Sequence, residues 1–133
     1  MKPPQAEWRA ELPATVEAID RFCADFQVWR QENCDDLESF PAELLLREAL
    51  SNSVLHGCEG DAAKRVNCLL RARSRRLFIA ISDGGDGFDW RSVWSRRAKA
   101  TDVGGRGIEI LRQYSDAIRF NSKGNAVALV KRF

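Results

Sequence analysis

Apolar side chains recur three and four residues apart in the stretch opened by Pro13. Val16, Ile19, Phe22, Phe26 and Trp29 fall on one side of a helical wheel, as a helix with one buried stripe requires. Proline suits a helix's first turn because the N–H it lacks has no partner there. A second helix is expected from about Ser39 to Leu55, with Pro41 in its first turn and Gly57 as its stop. Its packing side is Leu46, Ala49, Leu50, Ser53 and Val54. Elsewhere the period shortens to two. Residues 6–12 alternate loosely, as an edge strand does, and 65–71 and 77–82 form a hairpin about the charged turn 73–76. The run LFIAIS is almost continuously apolar and reads as a central strand. A third helix is predicted from Gly107 to about Tyr114, then a last hairpin, 117–120 with 126–130, turning at Lys123-Gly124-Asn125. Asp83 to Gly105 is rich in Gly, Asp and Arg and is long for a plain connection, which marks it as functional or disordered. This order predicts an α+β fold: a two-layer α/β sandwich, helices on one face of a mixed, mostly antiparallel sheet. A single domain over residues 1–133 is expected from the length.

Composition narrows the function classes. A net charge of +2 is too balanced to argue for direct nucleic-acid binding. The local cluster Arg71, Arg73, Arg75 and Arg76 is explained by a solvated strand edge, where charge discourages aggregation. Cys23, Cys34, Cys58 and Cys68 form no C-x-x-C pair, and with one histidine in the chain a zinc site is not expected. The N-terminus lacks the apolar core of a signal peptide, and no apolar run approaches a membrane span. The expected location is the cytoplasm, with reduced thiols and no membrane.

Three polar clusters carry the candidate chemistry. Glu48, Asn52 and His56 are four apart on the second helix and share a face beside its packing side. A carboxylate and an amide placed so can serve a divalent cation and a proton transfer; spacing alone equally allows a solvated face. Asp83-Gly84-Gly85-Asp86-Gly87-Phe88 follows the most apolar strand directly. An Asp fixed at a strand end can accept a hydrogen bond from an exocyclic amine, though Asp-Gly pairs are also common turn formers. Gly104-Gly105-Arg106-Gly107 runs into the third helix, whose unpaired N–H groups suit phosphate; an ordinary flexible loop is the alternative.

Taken together and in this order, the clusters resemble the boxes of the GHKL (Bergerat-fold) ATPases. ELLLREALSNSVLHG is similar to the N box, with E-x-x-x-N at Glu48 and Asn52. ISDGGDGFD resembles the first glycine box at Asp83, Gly85, Gly87 and Phe88, and GGRGIEIL the second at Gly105, Gly107 and Leu111. The short chain and DGGDGFDW look most like the anti-sigma-factor serine kinases. The resemblance implies ATP and Mg²⁺ as cofactors. Glu48 would be the general base, Asn52 the Mg²⁺ ligand and Asp83 the adenine reader. Gly85, Gly87 and Phe88 would shape the adenine pocket, while Gly104, Gly105, Arg106 and Gly107 would meet phosphate, with the segment between as a lid. His56 would have a structural or phosphate-neighbouring role.

The implied function is an ATP-dependent protein serine kinase and anti-sigma factor in a partner-switching system. Its implied partners are a STAS-type anti-sigma-factor antagonist and a sigma factor or other regulatory protein, and a homodimer is compatible by analogy. Two other readings stand beside it: a nucleotide-binding interaction module without kinase activity, and the detached catalytic domain of a two-component histidine kinase. The lid stretch RSVWSRRAKATDV departs from any recognisable lid signature, and Trp90, just before it, and Trp94, within it, are expected to pack under the lid or to meet a partner.

Overall fold

The computed structural model describes residues 5–58, 61–84 and 106–133, the side chains of 56–57 and 106–108 excepted. Strand β1 (Ala6–Pro13) leads into helices α1 (Val16–Asn33) and α2 (Ser39–Asn52), and α2 runs on as a π-helical turn, Ser53–Gly57. Strands β2 (Arg65–Arg73) and β3 (Arg76–Asp83) follow, then helix α3 (Arg106–Tyr114) and strands β4 (Ala117–Phe120) and β5 (Ala126–Arg132). The sheet order is β1-β2-β3-β5-β4. All pairings among the described strands are antiparallel, the strict case of the mostly antiparallel sheet expected, with no parallel pair to make it mixed.

Alternation along each strand separates two faces. Val66, Cys68 and Leu70 on β2, Leu77, Ile79 and Ile81 on β3, and Val127 and Leu129 on β5 are all buried. They meet Phe26, Leu45, Leu46 and Leu50 of the first two helices and Leu111 of α3 in one core. Burying such a side chain fully stabilises the fold by about 1.5–3 kcal/mol, so the helix-covered face holds the molecule together. At its β1 edge Trp8 stacks on Phe22 of α1, with ring centroids 4.7 Å apart. The apolar run LFIAIS is indeed the central strand, with a neighbour on either side.

Local chemistry moved several boundaries. Pro13 ends β1, opposite Arg65, and does not open α1. The cap is Thr15, in extended geometry, whose side-chain oxygen accepts from the Ala18 N–H at 3.1 Å. Val16 is consequently outside the buried stripe and 63% exposed. Arg30 takes a buried place in that stripe instead. Its guanidinium donates to Gln27 Oε1 at 2.8 Å and to the Leu37 carbonyl at 2.9 Å, which pins the α1–α2 connection. The arginine cluster is also placed differently. It stands at the tip of β2 and β3, two inner strands, so protection of a sheet edge does not explain it.

All four cysteines are buried and unpaired with one another. Burial pushes the thiols up, to about 11 for Cys23 and Cys34 and about 12 for Cys68, which leaves them protonated and unreactive. Among the described residues no helix is long and apolar enough to cross a membrane.

Candidate functional site

The end of α2, the end of β3 and the turn between β4 and β5 meet in one place. Asn52, Ser53, Asp83 and Asn125 line the same small cavity there. Strand alternation explains Asp83: it continues the series Leu77, Ile79, Ile81 and so points towards the helices, where it is only 8% exposed. Its N–H donates to the Asn125 carbonyl at 3.0 Å, which holds the strand end against the β4–β5 turn. Gly124, with φ of 82°, lets the chain make that turn.

Helix α2 supplies the other groups. Leu45, Leu46, Ala49 and Leu50 are fully buried and anchor it. Glu48 lies one turn before Asn52, as the four-residue spacing predicts. Just after Asn52 the helix widens into the π turn, closed by the Cys58 N–H donating to the Ser53 carbonyl at 2.9 Å. Such single π turns concentrate at functional sites because they re-aim the side chains beside them. The π turn takes in His56, whose side chain lies outside the described residues, so the expected shared face is described for Glu48 and Asn52 alone.

The electrostatics of the cluster are unusual for a helix surface. Burial holds the Glu48 carboxyl above the ordinary glutamate range, and the neighbouring Arg47 only partly offsets this. Arg47 turns the other way, to Asp20 of α1 and to Glu43 at 3.8 Å. The side chains of Glu48, Asn52 and Ser53 make no hydrogen bond to any described residue, although Asn52 and Ser53 are 7% and 6% exposed. An amide or hydroxyl set mostly, but not wholly, out of water in this way is open to a ligand or an ordered water. Native proteins keep such groups where a ligand or an ordered water satisfies them. Burial, reinforced by the charge of Asp83, also pushes the Cys58 thiol up.

The donor set has a chemical direction. Amide, hydroxyl and carboxylate oxygens are hard ligands, suited to Mg²⁺ and poor for softer metals. No group of three or more His, Cys, Asp or Glu gathers among the described residues. Asn52 and Ser53 each offer an oxygen that could join others brought by a Mg²⁺ ion's own ligand, the manner in which Mg²⁺ accompanies phosphates.

A family model described as a histidine kinase-like ATPase domain matches residues 12–131. The chain belongs to this family. It is an ATP-binding domain of the kinase-like type, and the match spans all the candidate residues. No curated protein matches the sequence.

Within this histidine kinase-like ATPase domain, Glu48, Asn52 and Asp83 stand on adjoining elements. Arg106 and Gly107 open α3, as the glycine approach to a helix predicted, with Leu111 fully buried one turn on. Gly85, Gly87, Phe88, Gly104 and Gly105, with Trp90 and Trp94, lie outside the described residues. Sequence reasoning missed Ser53 as a polar group of the cavity, having placed it on the packing side of α2. It also missed Asn125, for which no local signal exists. Only the pairing of Ser82 with Ala126 carries Asn125 to Asp83.

Proposed function

We propose that this domain transfers the γ-phosphoryl group of ATP to a serine hydroxyl of a partner protein. The observation that supports this reading most is that the helix carrying Glu48 ends in Asn52 and Ser53, which make no side-chain hydrogen bond to a described residue and line one small cavity with the buried Asp83. Asp83 accepts from the adenine amine, and Gly85, Gly87 and Phe88 complete the base pocket. Asn52 holds Mg²⁺, which when bound neutralises phosphate charge. Gly104, Gly105, Arg106 and Gly107 bring N–H groups and a cation to the phosphates at the start of α3.

Glu48 takes the proton of the attacking serine hydroxyl as the oxygen–phosphorus bond forms and ADP departs. A carboxylate held partly out of water accepts a proton more readily than an exposed one, so the burial of Glu48 suits this role. Phosphoryl transfer depends mainly on positioning and charge neutralisation, so the cation and the backbone amides carry as much of the rate as the base. By resemblance to the anti-sigma-factor kinases, the serine belongs to a STAS-type antagonist, and a sigma factor or comparable regulator is the protein held in check in the cytoplasm.

The test is phosphoryl transfer from radiolabelled ATP to a STAS-type protein, comparing the natural chain with Glu48→Gln. An acid-stable phosphoserine is expected, formed about 10²–10⁴-fold more slowly by the variant while its ATP affinity is kept. An acid-labile product would point to histidine as acceptor. ATP binding without transfer would leave a nucleotide-dependent interaction module, and equal rates would remove Glu48 as the base.

A further inference from the structure

The face of the sheet turned away from the helices carries a charge pattern that the nucleotide site does not use. Every strand places an arginine on it: Arg9 on β1, Arg73 on β2, Arg76 on β3, Arg132 on β5 and Arg119 on β4. The strands set only two carboxylates against these, Glu7 and Glu11, both on β1. Glu7 is held by Arg71 at 2.7 Å and Arg9 at 3.6 Å, and Glu11 lies 3.7 Å from Arg65.

The register sharpens the imbalance. Arg73 pairs directly with Arg76, and Arg76 with Arg132, so three arginines stand side by side across three inner strands. Like charges placed directly opposite destabilise a sheet. The side chains of Arg73, Arg76, Arg132 and Arg119 meet no carboxylate among the described residues. The turn joining the first two is itself restrictive, with Ser74 and Arg75 both at positive φ, 50° and 64°. That conformation belongs to tight two-residue hairpins and holds Arg73 and Arg76 opposite each other.

Between the charges the face is apolar and hollow. One depression of about 550 Å³ lies beside Arg73 and Arg76 over Phe78 and Val130. A larger one of about 740 Å³ lies over Leu69, Ala80 and Ala128, with Arg9 on one side and Arg119 on the other. Small side chains at Ala80, Ala126 and Ala128 leave this floor low.

We propose that the open face docks an acidic protein segment, its carboxylates on the Arg73–Arg76–Arg132 row and on Arg119, and its apolar side chains in the two hollows. The alternation of apolar floor and basic rim calls for a ligand that carries both kinds of group, as a protein segment does. A nucleic acid would also have to cross the carboxylates of Glu7 and Glu11. A second copy would set one arginine row against another. The stretch from Arg91 to Lys99 of this chain is itself basic and adds to the same repulsion.

The probe is a fluorescein-labelled peptide of repeating Glu-Leu-Asp, titrated with the full chain at low salt and followed by anisotropy. Binding is expected to weaken about tenfold or more with Arg73→Gln/Arg76→Gln, and also when the peptide's leucines become serine. ATP affinity of the double variant should be unchanged, because its substitutions lie about 23 Å along β3 from Asp83. This separates failure here from failure of the nucleotide site. Arg76→Gln alone should raise the thermal midpoint at low salt, with the gain shrinking as salt screens the row. The proposal is overturned by no peptide binding, by binding that ignores the double substitution, or by a midpoint that Arg76→Gln lowers at every salt. Tighter binding of a DNA duplex, or self-association abolished by the double variant, would overturn it in favour of a nucleic acid or a second copy.

Discussion

The two ends of β3 solve opposite problems. At one end Asp83 is 8% exposed, beside Asn52 and Ser53 under the helix layer. At the other, Arg76 stands exposed between two more arginines on the face that no described helix covers. Both ends gather polar groups, but their surroundings differ. The Asp83 end sets hydrogen-bonding groups mostly under the helix layer, where a hydrogen bond to a specific small ligand is worth more than it is in open water. The Arg76 end keeps like charges in water, where screening limits what any partner gains. A tight, chemically selective site belongs at the first end, and a broader, salt-sensitive surface at the second.

What joins the two ends is the apolar middle of the strand. Ile79 is fully buried there, paired with Leu70 and Leu129. Ile79→Ala should cost about 2–5 kcal/mol in urea unfolding. A loss well below 1 kcal/mol would show that the ends are not supported by one core, and the contrast between them would lose its basis.

A smaller effect separates ligand-directed polarity from structural polarity. Asn52→Leu should stabilise the ligand-free protein by about 1 kcal/mol, since it replaces a buried amide that has no described partner. It should at the same time abolish Mg²⁺-dependent ATP binding. Destabilisation with ATP binding intact would make Asn52 a packing residue. The smallest effect concerns Glu48. Its carboxyl is raised in the fold by burial, so ionisation opposes folding. The sign follows from linkage: the penalty is absent while the group is protonated, and it develops as pH rises from the unfolded pKa through the higher folded one. Glu48→Gln should therefore have the higher thermal midpoint at pH 7, and its advantage should vanish as pH falls towards 4. An advantage independent of pH would point to a cause other than ionisation.

Most of the fold was legible because periodicity and apolar content report burial directly. LFIAIS is central because it is buried along its length, and Asp83 is placed because the apolar run stops there. Leu111 and the helix beginning at Arg106 followed the glycine pattern. The failures have identifiable causes. Thr15 took the cap from Pro13 because its side-chain oxygen can satisfy a helix N–H, and this turned Val16 outward. The π turn after Asn52 leaves no trace in a 3.6-residue pattern. Asn125 reaches the site through strand register, and the arginine row also exists only once β2, β3 and β5 are paired. A linear reading sees Arg73 and Arg76 as a charged turn; it cannot see Arg132 beside them.

Whether Asp83, Asn52 and Glu48 form a nucleotide site is tested most directly by isothermal calorimetry with ATP. Mg²⁺-dependent binding is predicted for the natural chain. Asp83→Asn should weaken it about tenfold or more, as expected when a hydrogen bond to a charged group is lost, and Asn52→Ala should remove most of its dependence on Mg²⁺. ATP affinity that neither substitution changes would contradict the account, because the buried polar cluster would then serve something other than nucleotide.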